Sequence, residues 1–208
     1  MLTKFRSLLG ISHHELVFMR RIEALANSIS PLLSSGRVLD VGCGNGMLGA
    51  FIMQRRDDVD IVGIDVHLRP RTHIPVKKYD GSRIPFDDSE FDSVMAVDVL
   101  HHIDQPEKTI AECLRVTRGT VVIKDHLYAN PIDYVLLCAM DWVGNVPHGV
   151  RLPYNYFSRQ KWTAYLEKCG AEEICRQEYV EGLYSAPLQW FIGRRIQMVS
   201  QIKNGTTA

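Results

Sequence analysis

The chain has 208 residues, 46% apolar and 23% charged, which suits one soluble domain able to bury a substantial core without disulfides or metals. Lysine plus arginine and aspartate plus glutamate both number 24, so no net field draws the chain to nucleic acid or anionic lipid. The five cysteines (Cys43, Cys113, Cys138, Cys169, Cys175) are odd in number and show no Cys-x-x-Cys spacing. This argues against a disulfide framework and a zinc site; no metal is expected, and a reducing, cytoplasmic setting fits. No apolar run reaches the roughly 18 residues of a membrane span, and no leader-like apolar stretch follows Met1.

From Ser12 to about Leu33, Leu16, Met19, Ile22, Leu25, Ala26 and Ile29 recur at three- and four-residue intervals, which predicts an amphipathic helix packed on the edge of a sheet, or alternatively a lid. Val38 to Val41 is a short apolar run without alternation, a strand covered on both faces; a glycine-dense turn follows, then a helix from Met47 to about Gln54. Further strands are expected at Asp60–Asp65, Val76–Tyr79, Asp92–Val97 and Thr120–Lys124, with a helix at Pro106–Val116 before the last of these. Tyr134 to Met140 is apolar nearly all round, so a helix there is expected to be buried or to cover a pocket. Ser158 reads as the N-cap of a helix from Gln160 to Lys168 that Gly170 ends. Glu173–Val180 and Leu188–Ile196 complete an antiparallel pair.

Strand and helix in alternation predict an α/β, doubly wound, Rossmann-like sheet of about seven strands. It is mostly parallel, with an antiparallel C-terminal edge pair and an N-terminal helix. Residues 1–200 form one domain in this reading: 1–36 an N-terminal helical segment, 37–125 a cofactor-binding half, and 126–200 an acceptor-binding insertion with the C-terminal strands. Residues 201–208 are expected to be a disordered tail.

Ligands of such sheets lie beyond the carboxyl ends of the strands, where Gly42 to Gly46, Asp65, Asp80, Asp98 and the pair Asp125-His126 all fall. Asp65 ends the second strand, where a carboxylate can accept hydrogen bonds from both hydroxyls of a ribose. Gly44-Asn-Gly46-Met-Leu-Gly49 matches G-x-G-x-x-G, but Gly42-Cys43 intervene between strand and motif. Asp40 inside the strand would moreover repel a pyrophosphate and favour a cationic ligand, which disfavours a nicotinamide oxidoreductase.

Val38-Leu-Asp-Val-Gly-Cys-Gly-Asn-Gly46 resembles the first motif of the class I S-adenosylmethionine-dependent methyltransferases. Asp65, Asp80-Gly-Ser-Arg-Ile-Pro-Phe86, Glu90-Phe-Asp-Ser-Val94 and Val99-Leu-His-His-Ile103 follow in that family's order. The chain is most similar to the subgroup that includes ubiquinone and menaquinone biosynthesis enzymes, strongly from Arg37 to Val122. The resemblance implies that Asp40, Gly42 and Gly44 hold the amino-acid end of S-adenosylmethionine and that Asp65 binds its ribose. It further implies that Asp80 accepts from the adenine amino group with Gly81 and Ser82 bordering the ring, that Asp98 and Val99 lie near the methionine moiety, and that S-adenosylhomocysteine is the product.

Methyl transfer to oxygen or carbon usually needs a base as well as in-line positioning. Histidine titrates near neutrality, so His126 is the first candidate and His102 the second, the alternative for each being a structural histidine. Asp141, Trp142, Asn145, Tyr154 and Tyr156 supply aromatics and polar anchors suited to a mostly apolar acceptor pocket. The expected function is methylation of a small, partly hydrophobic molecule, most readily at oxygen, with no nucleic-acid partner. The alternatives are a tRNA or protein methyltransferase, or a non-catalytic S-adenosylmethionine-binding protein.

Overall fold

A computed structural model describes residues 13–145, 152–185, 189 and 196–205. In chain order the elements are α1 (His13–Ile29), β1 (Gly36–Val41), α2 (Met47–Met53), β2 (Val59–Asp65), β3 (Val76–Lys78), β4 (Phe91–Val97), α3 (Pro106–Val116), β5 (Thr117–Tyr128), α4 (Pro131–Asn145), β6 (Phe157–Ser158), α5 (Arg159–Cys169), β7 (Ala171–Gln177) and β8 (Gln197–Asn204). Short 3-10 turns sit at Ser30–Leu32 and Leu100–His102. The sheet runs β3-β2-β1-β4-β5-β8-β7. Pairing is parallel from β3 to β5 and antiparallel where β8 enters between β5 and β7.

The unbroken apolar run of β1 has the two-sided burial it implies. Val38 packs into one core with Ile22, Leu25 and Ile29 of α1 and Leu48 and Ile52 of α2. Leu39 and Val41 face the other core, with Ile110 and Leu114 of α3 and Trp162 and Leu166 of α5. Alternate residues of a strand point to opposite faces, so one four-residue run serves both layers. Each fully buried side chain of this kind contributes on the order of 1.5–3 kcal/mol. The Ser158 hydroxyl caps α5 by accepting from the Lys161 amide at 3.1 Å, and Gly170 ends the helix at φ +62°.

The structure departs from the sequence reading in three places. β5 runs to Tyr128, because β8 pairs along it as far as His126 and β6 pairs Leu127 and Tyr128; Asp125 and His126 are therefore inside the strand. Residues 201–204, expected as the start of a disordered tail, belong to β8. Their polar side chains find partners within the fold, Gln201 Nε2 donating to the Leu32 carbonyl at 2.9 Å and Asn204 Nδ2 to the Leu114 carbonyl at 3.1 Å. The expected strand Leu188–Ile196 lies mostly outside the described residues, and the closing strand starts at Gln197. Of the two forms expected for α4, the structure shows the second: Leu137 and Met140 line a cavity, while Ile132, Val135, Trp142 and Val143 are exposed.

Candidate active site

At the end of β1 the chain turns on Gly42, Gly44 and Gly46, all in the left-handed region at φ +71°, +58° and +73°, where glycine carries no steric penalty. A Cβ on Gly42 would lie 2.5 Å from Val99, and one on Gly46 2.4 Å from Ile74, so both are pinned by packing. Gly44 has nothing within 4 Å of such a Cβ, and its backbone borders an open cleft. Asp65, at the end of β2, accepts from the Gly44 amide and the His67 amide, both at 2.8 Å, which locks the turn to the neighbouring strand. Cys43 packs against Gly63, and burial, with Asp40 and Asp65 adding, pushes its thiol above the ordinary range. It is a packing residue.

The cleft over this turn measures about 200 Å³ and is lined by Asp40, Gly42, Gly44 and Asp98 on the sheet side and by Phe18, Ile22 and Leu25 of α1 on the other. The N-terminal helix thus reaches over the strand ends as well as packing on the sheet. Asp40 is 3% exposed. Burial, reinforced by the charge of Asp65, pushes its carboxyl up to about 7, a cost that a cationic ligand would relieve. An open glycine cradle beside a buried carboxylate, with no cationic side chain paired to it among the described residues, suits the sulfonium and ammonium groups of S-adenosylmethionine. Asp80, two residues past β3, lies outside this cleft, exposed, its Oδ1 taking the Ser82 amide at 2.9 Å and the Ser82 hydroxyl at 2.6 Å. Gly81 follows it at φ +85°.

A second cavity of about 310 Å³ opens on the far side of Asp98, walled by Arg21, His101, His102, His126, Asp141, Tyr156 and Tyr184, with Leu137 and Met140 as its apolar part. Asp98, at φ +55°, is ion-paired to Lys124 and, at 2.6 Å, to Arg21. Burial alone would raise its carboxyl, but these two cations hold it well below the usual carboxylate range. The fully buried Asp125 accepts from the Leu100 amide at 2.9 Å and from His101 Nδ1 at 2.7 Å. Although burial opposes both charges, His101 is raised and Asp125 lowered by the pairing. Tyr156 is buried and its hydroxyl donates to Asp141 at 2.7 Å.

His126 does line this cavity, with Nδ1 3.3 Å from both the Ile196 carbonyl oxygen and Gln197 Nε2, and Nε2 3.7 Å from Asp98. Burial and the adjacent Lys124 push it down to about 3, so it is neutral at physiological pH. His102, Asp141 and Tyr156 converge with it. Tyr154, at φ +53°, offers its carbonyl to the Tyr134 hydroxyl at 3.3 Å, and Trp142 is exposed on the outside of α4; neither side chain lines the cavity. Helical spacing explains Trp142, because it follows Asp141 and so faces about 100° away. The Asn145 side chain lies outside the described residues. Sequence reasoning passed over His101, Arg21 and Tyr184. For His101 a signal existed in the adjacent histidine pair, but its partner Asp125 lies 24 residues away on β5.

A glycine turn after β1, an acid ending β2, and a final strand inserted antiparallel give the chain a Rossmann-like fold of the kind found in class I S-adenosylmethionine-dependent methyltransferases. Residues 39–123 match the family model described as a methyltransferase domain. Over 128 residues the chain is 31% identical to the ubiquinone biosynthesis O-methyltransferase of Dechloromonas aromatica (strain RCB), covering 55% of this chain and 53% of that one. It thus spans about half the length of that relative. It is 27% identical over 191 residues to the 27-O-demethylrifamycin SV methyltransferase of Amycolatopsis mediterranei (strain S699), covering 83% and 68% of the two chains. The crystal structure of an S-adenosylmethionine-dependent methyltransferase from Mesorhizobium loti shares the fold at TM-score 0.65 and 16% identity, over 87% of this chain and 98% of that one. No helix among the described residues is long and apolar enough to cross a membrane.

Proposed function

We propose that the chain transfers a methyl group from S-adenosylmethionine to an oxygen of a small, partly hydrophobic molecule. The observation that carries this reading is a shared wall: Asp98 lines both the glycine-turn cleft and the histidine- and tyrosine-lined cavity. When bound, S-adenosylmethionine supplies an electrophilic methyl carbon on a sulfonium. In this reading Asp40, Gly42 and Gly44 hold its amino-acid end, with Val99 buttressing Gly42. Asp65 takes the ribose hydroxyls in exchange for backbone amides, and Asp80, Gly81 and Ser82 border the adenine. Asp98, fixed by Lys124 and Arg21, keeps the partition between donor and acceptor rigid. That rigidity matters because displacement at carbon demands near-attack alignment.

An oxygen acceptor has to lose a proton. His126 turns its nitrogens toward Ile196, Gln197 and Asp98, so we give it the role of shaping the cavity. We place the acceptor hydroxyl at His102 and its neighbours His101 and Asp141. Leu137, Met140, Tyr156 and Tyr184 supply the apolar and aromatic surface against which a ring or short alkyl body would pack. The two relatives are named for small-molecule acceptors, one of them explicitly for O-methylation, which supports the oxygen reading.

The test is calorimetry with S-adenosylhomocysteine, followed by incubation of methyl-labelled S-adenosylmethionine with a panel of phenols, quinols and aliphatic alcohols. Tight binding and label in an ether product are expected. Failure of S-adenosylhomocysteine to bind would overturn the reading.

A further inference from the structure

We propose that His101, His102 and Asp141 bind a divalent transition-metal ion, of the zinc, manganese or iron(II) type, in the acceptor cavity. One ligand atom from each of these three residues lies within 4.8 Å of the others. Contacts of about 2 Å to a shared ion need each donor to move toward it by roughly an ångström or less. Two imidazoles and one carboxylate form a donor set that suits such ions and is poor for magnesium or calcium, which take oxygen.

The surroundings of the three donors are those of a built site. His101 Nδ1 is held by the fully buried Asp125 at 2.7 Å, leaving Nε2 as the nitrogen available to a metal. A carboxylate behind a ligand histidine fixes its tautomer and raises its basicity. Asp141 is oriented in the same way by the Tyr156 hydroxyl at 2.7 Å. The 3-10 turn Leu100–His102 presents two consecutive histidines with ring centroids 4.0 Å apart, and α4 brings Asp141 to them across the cavity. Among the described residues, Arg21 and Lys124 beside the cavity are both ion-paired to Asp98.

Three protein ligands leave coordination positions facing the cavity, as in metal sites that bind a substrate oxygen. The catalytic use rests on the methyl-transfer reading above. An acceptor hydroxyl bound to the ion loses its proton to water. The lone pair left on oxygen forms the O–CH3 bond while the CH3–S pair stays on sulfur, giving the methyl ether and S-adenosylhomocysteine. Acidification of bound oxygen by a divalent ion is well within its reach. Acceptors with two adjacent oxygens, such as catechols, would be favoured because they can chelate.

The full chain, stripped with chelator, would be titrated with Zn2+ and Mn2+ by calorimetry and loaded with Co2+ for its visible spectrum. We expect one ion per chain, with His102→Ala and Asp141→Asn each weakening binding by about a hundredfold or more, and Asp125→Asn by roughly 10- to 100-fold. The exposed His73→Ala is the control and is expected to change nothing. Retained S-adenosylhomocysteine binding shows that each variant is folded, and His102→Gln repeats the test if the alanine variant is not. Binding that is substoichiometric, or unchanged in both ligand variants, overturns the metal site, as does a cobalt spectrum showing thiolate ligation. Methyl transfer that survives complete metal removal would refute the catalytic use and leave the methyl-transfer reading standing. A wild-type protein that bound the metal but not S-adenosylhomocysteine would overturn the methyl-transfer reading, and the catalytic use with it, and leave the metal site standing.

Discussion

Replacement of Asp40 by Asn removes a charge that the fold holds at a cost and that the cofactor should relieve. Burial, with Asp65 nearby, raises this carboxyl to about 7, roughly three units above an ordinary aspartate. At about 1.4 kcal/mol per unit this amounts to some 4 kcal/mol. Because the folded value is raised, the unliganded protein carries no penalty below the unfolded value near 4. It loses stability as pH climbs from about 4 to about 7, and the loss is complete above that. Asp40→Asn should therefore be the more stable protein at pH 8 without ligand, by up to about 4 kcal/mol, and should bind the cationic cofactor more weakly. If only the ionised form binds tightly, its fraction rises roughly tenfold between pH 6 and pH 8, and the wild-type dissociation constant for S-adenosylmethionine should fall by that factor. The Asn variant supplies the baseline for every other titrating group. Calorimetry at both pH values, in two buffers of different ionisation enthalpy, should detect proton release on binding in the wild type and less in the variant. A wild-type affinity that parallels the variant's across this range would refute the argument, as would an Asn variant that is less stable at pH 8.

Asp65→Ala removes the acceptor of both the Gly44 and His67 amides together with the assigned ribose contact. A loss of about 2–3 kcal/mol in S-adenosylhomocysteine binding is expected, read by calorimetry, and unchanged affinity would take Asp65 out of that role. Gly42→Ala and Gly44→Ala both place a side chain at positive φ, costing about 1–2 kcal/mol, but only the first meets a neighbour, Val99 at 2.5 Å. Denaturant unfolding should therefore show Gly42→Ala as the less stable, while Gly44→Ala loses ligand affinity out of proportion to its stability. Trp162→Ala empties a fully buried site beside Phe157, whose ring centroid is 5.4 Å away. It should cost about 3–5 kcal/mol without altering the affinity of the cofactor cleft, which lies on other elements.

The parallel half of the fold was legible because its code is local. β1, β2 and β4 each read as an apolar run stopped by a glycine or an acid, and stopping residues of that kind are what a site at strand ends requires. The C-terminal half was less so. β8 mixes Gln197, Ser200 and Gln201 with Met198, Val199 and Ile202, and its polar side chains are satisfied by residues far away, such as Glu173, whose carboxylate accepts from the Ser200 hydroxyl at 2.5 Å. That satisfaction is invisible to a pattern of hydrophobicity. Likewise the exposed Ile132, Val135 and Val143 make α4 look like a core helix when only one face is buried. Among the histidines, composition and strand position pointed to His126. The pairing of His101 with Asp125 joins a 3-10 turn to β5, and distance in sequence hid it.

The late strand β8 sits between two strands made before it. Until residues 197–204 have left the ribosome, β7 lacks its neighbour in the sheet and β5 has an open edge. Pairings so distant in sequence are slow to form. The register of this strand also sets Gln197 opposite His126, and its Nε2 lies 3.3 Å from His126 Nδ1 and donates to the Tyr184 hydroxyl at 2.9 Å, so two residues of the second cavity gain this support only with the final stretch of sheet. A nascent chain can thus fashion the glycine turn early, from β1 and β2 alone, before the second cavity is braced. A translation product halted before Gln197 should accordingly keep an exposed β edge open to aggregation.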